Sequence, residues 1–89
     1  MATLFVRHRV ADYARFRKAY DDFDTLRRQL GVSSHGVYKL DGNPNDVTIY
    51  HEFSTMDAAK AFAASPKLKE AMQAAGVQGA PDIWFTNRD

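Results

Sequence analysis

Three stretches of this chain alternate apolar and polar residues with the period of a β-strand, and each offers large side chains to both of its faces. In TLFVRHRV (Thr3 to Val10), alternation sends Leu4, Val6, His8 and Val10 to one side and Phe5, Arg7 and Arg9 to the other. In DVTIYHEF (Asp46 to Phe53), Val47, Ile49, His51 and Phe53 oppose Thr48, Tyr50 and Glu52, and in PDIWFTN (Pro81 to Asn87), Ile83 and Phe85 oppose Asp82, Trp84 and Thr86. The first set in each strand has the makeup of a core. The second mixes aromatic rings with charge, as interfaces do.

A helical period separates these strands. In DYARFRKAYDDFDTLRRQLG, Tyr13, Phe16, Tyr20, Phe23, Leu26 and Leu30 recur at spacings of three and four, one stripe of a single helix about five turns long. Asp12 suits its N-cap, Arg27 and Arg28 its C-terminal dipole, and Gly31 its left-handed stop. Residues Val32 to Leu40 are β-rich and lead through the turn-forming DGNPND into the next strand as an antiparallel hairpin of open register. Ser54 with Asp57 resembles a capping box for an Ala-rich helix running from Asp57 to about Ala64. Ser65-Pro66 ends that helix and starts another, with Leu68, Met72 and Ala75 as its stripe, which stops before Gly76. The alanines predict close approach of both pieces to the sheet.

The order strand, helix, strand, strand, split helix, strand is that of a ferredoxin-like βαββαβ fold, an α+β architecture with a four-stranded antiparallel sheet and helices on one face. The other face is left for something else to cover. At 89 residues the chain is expected to form one domain, 1–89, whose core is thin enough to gain from oligomerisation. The net charge of +1, with both signs interspersed, gives no broad attraction to nucleic acid or anionic membrane. There is no cysteine, and hence no disulfide or thiolate chemistry. The N-terminus carries charge too early for a signal peptide or a membrane span, which predicts a soluble, cytoplasmic protein.

RNA-recognition modules share the topology and stack bases on aromatic residues where Phe5, Tyr50 and Trp84 lie. The third strand lacks their basic, glycine and aromatic pattern, and Glu52 opposes phosphate, so no nucleic-acid partner is expected. All three histidines fall on strands. His8 and His51 share the core side, with His35 joining them if it pairs opposite His51, which makes them candidate acid or base groups in a pocket. No paired-ligand spacing turns them into a metal site. Singly, each also reads as a hydrogen-bonded boundary residue. The stripe Tyr13, Phe16, Tyr20, Phe23 reads as core with phenols in need of partners. Arg7 and Glu52 read as a cross-strand ion pair, and Asp21, Asp22 and Asp24 with Arg17, Lys18, Arg27 and Arg28 as a solvated helix face.

With its broken second helix, doubly apolar sheet and the segment FAASPKLKEAMQAAGVQGAPDIWF (Phe62 to Phe85), the chain resembles the dimeric α/β-barrel superfamily. More narrowly, it is similar to small bacterial proteins with antibiotic-biosynthesis monooxygenase-like domains. The resemblance spans essentially the whole chain and is most specific from Asn43-Pro44-Asn45-Asp46 through Trp84. It implies a homodimer joined sheet to sheet, with Phe5, Tyr38, Tyr50 and Trp84 at the interface and a pocket in each protomer between sheet and helices. It also implies a range of chemistries, among them cofactor-independent oxygenation, cyclisation, isomerisation and haem degradation. The helical His and Trp of the haem-degrading branch are absent from this chain.

The resulting expectation is a cofactor-free, metal-free enzyme acting on an aromatic or polyketide-like ligand. His51, then His35, then His8 would be its acid or base, Tyr20 would orient a substrate hydroxyl, and Tyr13, Phe16, Phe23, Phe62 and Met72 would line the pocket. The alternative is a ligand-binding or structural dimer without catalysis. A cavity of roughly 300 Å³ or more with inward imidazoles favours the enzyme, and a filled core the alternative.

Overall fold

Strand β1 (Ala2–Val10) lies inside a four-stranded antiparallel sheet of order β2-β3-β1-β4. The computed structural model describes every residue, Met1–Asp89. After β1 come helices α1 (Tyr13–Asp22) and α2 (Asp24–Gln29), strands β2 (Ser34–Leu40) and β3 (Asn43–Phe53), helices α3 (Met56–Ala63) and α4 (Pro66–Ala74), and strand β4 (Val77–Asn87). This is the expected ferredoxin-like fold, with the helices on one face. Pairing of Leu4 with His51 and Phe85, and of Val6 with Ile49 and Ile83, aligns the apolar sets of three strands on the helical side. Leu4, Phe53, Ala59 and Phe62 pack in one core cluster, and Val10, Phe16, Tyr20, Val47 and Ile49 in a second.

Several boundaries differ from those the sequence predicts. The long first helix is two helices. They meet at Phe23, whose N–H reaches the carbonyls of both Ala19 and Asp21, a tightened turn that redirects the chain. The capping residue of α3 is Thr55 rather than Ser54, its side chain accepting from the Ala58 N–H at 3.2 Å. The hairpin turn is only Asp41-Gly42, with Gly42 at φ +87°, and DGNPND mostly belongs to β3. Pro44 fits there because the β2 register slips between Lys39 and Leu40, leaving Pro44 to Asp46 outside that ladder. The register pairs His35 with His51.

Strand β4 begins at Val77, well before Pro81, and bulges between the pairs Arg9 with Gln78 and Arg7 with Asp82. Gly79 carries φ +71° within that bulge, a conformation glycine adopts without strain. Ile83 and Phe85 do face the helical side, yet on this edge strand they stay 42% and 38% exposed. Close approach holds for α3, which buries Ala59 and Phe62. It is weaker for α4, whose Leu68 and Met72 pack against the core but stay only partly buried.

Two charge assignments also change. Arg7 pairs with Asp46, through Nε at 3.1 Å and Nη2 at 2.9 Å, rather than with Glu52. The register explains it, since Arg7 lies opposite Thr48 with Asp46 one step along the same face, whereas Glu52 lies opposite Thr3. Arg17, Lys18 and Arg28 do form the solvated pairs with Asp21, Asp22 and Asp24, but Arg27 turns inward and is 2% exposed.

Candidate functional site

Because α4 stands off the sheet, a cavity of about 370 Å³ opens beneath it. Its floor is Leu4, Val6 and His8 of β1 with Ile49 and His51 of β3. Phe62, Leu68 and Met72 form its roof, and Pro81 and Ile83 its β4 side. The walls are mainly apolar, and the imidazoles are the polar groups of the floor. Leu4 faces His51 across the ladder, so His8 lies four strand residues from that pair, roughly 13 Å along the floor.

The two imidazoles differ in their bonding. His8 is 5% exposed, and no protein group bonds either of its ring nitrogens. Its only ring neighbour is Phe16, edge-on at 5.5 Å. Burial lowers its pKa to about 4, with the Asp46 carboxylate pulling the other way. His51, equally buried, accepts at Nε2 from the Arg27 Nε–H at 3.2 Å, while its Nδ1 has no partner. Burial, then the positive charge of Arg27, then His35, lower its pKa to about 3. Both rings are therefore neutral at physiological pH.

Beside the cavity sits a polar cluster. Arg27 also donates from Nη2 to the Tyr20 carbonyl at 2.7 Å and from Nη1 to Asp24 at 3.2 Å, and its guanidinium lies 4.0 Å from the Tyr20 ring centre. The Tyr20 hydroxyl bonds His35 Nδ1, and His35 Nε2 lies 3.4 Å from Asp24. Burial raises the Tyr20 pKa, which keeps the phenol protonated. The Tyr20 hydroxyl thus turns toward β2 rather than into the cavity. Burial, reinforced by Arg27, lowers the His35 pKa against the pull of Asp24.

Of the residues expected to contact ligand, Phe62 and Met72 line the main cavity. Phe16, Tyr20 and Phe23 line a smaller adjoining space of about 50 Å³, which His8, His51 and Met72 also border. Tyr13 and His35 line neither space. Arg27 was not anticipated, although its position carries a signal. Its spacings of seven from Tyr20, four from Phe23 and three from Leu30 put it on the helical face of the apolar stripe, beside Leu26. No group of three or more His, Asp or Glu side chains comes together as a metal-ligand set.

On the opposite sheet face, Phe5 stacks on Trp84 with ring centres 5.5 Å apart, and Tyr38 lies beside Tyr50. Tyr38 and Trp84 are 63% and 41% exposed.

The sequence model of the antibiotic biosynthesis monooxygenase family matches residues 2–74. The chain belongs to that family. The match covers everything from β1 to the end of α4, which includes the whole cavity floor. No curated protein matches the chain significantly. Among solved structures, it is similar to a Bordetella bronchiseptica protein provisionally described as an antibiotic biosynthesis monooxygenase. That likeness has a TM-score of 0.84 at 14% identity and covers 99% of this chain and 96% of that one. It is also similar to SnoaB, a cofactor-independent oxygenase from Streptomyces nogalater, with a TM-score of 0.81 at 14% identity, covering 99% of this chain and 92% of SnoaB. At such identities the likeness shows a shared fold. No helix of this family member is long and apolar enough to cross a membrane.

Proposed function

We propose that the protein is a cofactor-independent enzyme of the oxygenase, cyclase or isomerase type, acting on an aromatic or polyketide-like compound held between sheet and helices. The observation that carries this reading is a mainly apolar cavity of about 370 Å³ with two buried imidazoles in its floor. Apolar walls suit flat carbon skeletons, and the imidazoles supply the proton chemistry that such substrates need.

In this reading His8 is the proton acceptor. In either neutral tautomer it has a free lone pair, whereas the Nε2 lone pair of His51 is taken by Arg27 and the Nδ1 of His35 by Tyr20. His8 removes a proton from a phenol or an activated C–H of the substrate. The imidazolium so formed is stabilised by the substrate anion beside it and by Asp46, the charge that already draws the His8 pKa upward. The resulting electron-rich anion is the species that attacks oxygen or closes a ring. His51 and Tyr20 serve around it, His51 as a cavity-wall polar group and Tyr20 through its bond to His35.

The enzyme works as a homodimer. Phe5, Tyr38, Tyr50 and Trp84 form an aromatic face on a short chain, and a second sheet laid against them removes that surface from water. The function is tested by a thermal-shift screen against phenols, quinones and lactones, followed by turnover assays on the binders with and without oxygen. Binding with turnover that falls by about two to four orders of magnitude in His8→Phe supports the enzyme. Binding without any turnover leaves a ligand-binding dimer instead.

A further inference from the structure

We propose that Arg27 is a positioning residue that locks His51 as its Nδ1–H tautomer, so that the cavity wall offers a fixed N–H donor and selects ligands bearing a carbonyl or phenolate oxygen there. The ligand half of this inference rests on the small-molecule reading of the cavity; the tautomer half does not.

Donors and acceptors fix the tautomer. A guanidinium has five N–H groups, accepts nothing and keeps its charge. Arg27 Nε stands 3.2 Å from His51 Nε2 in the buried interior, so that nitrogen presents its lone pair and carries no proton. A neutral imidazole has one N–H, which must then be on Nδ1. The imidazolium alternative needs a proton on Nε2, pointed at the guanidinium, and is disfavoured by burial as well.

Both partners are also held in place. Arg27 is itself held on three sides, by the Tyr20 carbonyl, by Asp24 and by the face of the Tyr20 ring. The His51 ring is flanked by Phe62 at 4.8 Å and by His35, stacked at 6.0 Å. Neither partner is free to turn and exchange the tautomer. Nδ1 is then a buried donor without a protein acceptor on a ring that lines the cavity. Leaving such a donor unpaired is costly, and an oxygen acceptor entering the cavity relieves that cost. The lock also separates the roles of two imidazoles on one floor: His51 donates, and His8 keeps a lone pair free.

The experiment has two arms on the full chain. In the first, long-range proton–nitrogen NMR at neutral pH reads the ring of His51, assigned by its loss in His51→Phe. The expected signature is a protonated Nδ1 and a bare Nε2 in the wild type. That signature should be kept in Arg27→Lys, which retains a donor, and lost toward Nε2–H in Arg27→Met. A wild-type ring protonated on Nε2, or on both nitrogens, overturns the lock whether or not either Arg27 variant folds.

In the second arm, calorimetry compares 9-fluorenone with fluorene, which has the same skeleton without the carbonyl. The ketone should bind the wild type at least about fivefold more tightly, the worth of one hydrogen bond, and the advantage should vanish in His51→Phe. Equal affinities in the wild type overturn the selection of acceptors. Binding of neither compound sinks the ligand half together with the small-molecule reading, while the NMR arm decides the lock separately.

Discussion

His8, held at about 4, and His51, held at about 3, each return to the ordinary value of 6.5 when the chain unfolds. Above pH 6.5 neither state takes up these protons and the full stability is present. Below it the unfolded chain binds them and the native protein does not, so stability falls by about 1.4 kcal/mol per pH unit for each ring until the native values are reached. Denaturant midpoints at pH 7 and pH 5 should show that loss, and His51→Phe should lessen it. A wild-type profile flat over this interval would mean that the rings are not held neutral. At neutral pH, Arg27→Ala should cost about 2–4 kcal/mol in equilibrium unfolding, because the Tyr20 carbonyl loses its 2.7 Å donor, His51 Nε2 is orphaned and a void remains. At this scale the sequence was partly legible. Alternation placed His8 and His51 on the cavity side, but their rank depends on which nitrogens are already bonded. That follows from where Arg27 turns, and a charged residue on an apolar stripe has no partner that spacing alone can name.

The cavity exists because an element stands off. Phe62 anchors α3 to the sheet, whereas Pro66 restarts the chain as α4 at a distance, with only Leu68 and Met72 reaching down. Element types and order were readable from periodicity and capping residues. The standing-off was not, because alanine-rich faces permit close approach without compelling it. The break at Phe23 was equally hidden, since the apolar stripe runs through it unchanged. One pairing at this scale allows a clean perturbation. Gly36 of β2 lies opposite Tyr50, and a Cβ there would come within 2.6 Å of the Tyr50 ring. Gly36→Ala should push that ring out of place on the aromatic face and weaken self-association by about tenfold while the monomer keeps its fold. Sedimentation and circular dichroism together check both halves.

For the whole molecule, the wild type should sediment as a dimer at micromolar concentration, and Trp84→Ala should lower dimer stability by about 3 kcal/mol through loss of a large ring stacked on Phe5. A wild-type monomer at that concentration removes the sheet-to-sheet dimer. The imbalance of two apolar sheet faces against one layer of helices was visible in the alternation, although alternation could not say that Ile83 and Phe85 would stay uncovered on the helical side as well. Those two residues and Trp84 lie on β4, an 11-residue strand at the edge of the sheet. A long apolar edge invites the strands of other molecules to add to it. The bulge between Gln78 and Asp82 divides that edge, and Pro81 has no N–H to offer an incoming strand. The bulge is in this sense also a guard against fibrils. Pro81→Val should therefore raise thioflavin-positive aggregation under mild heating, even if the fold is unchanged.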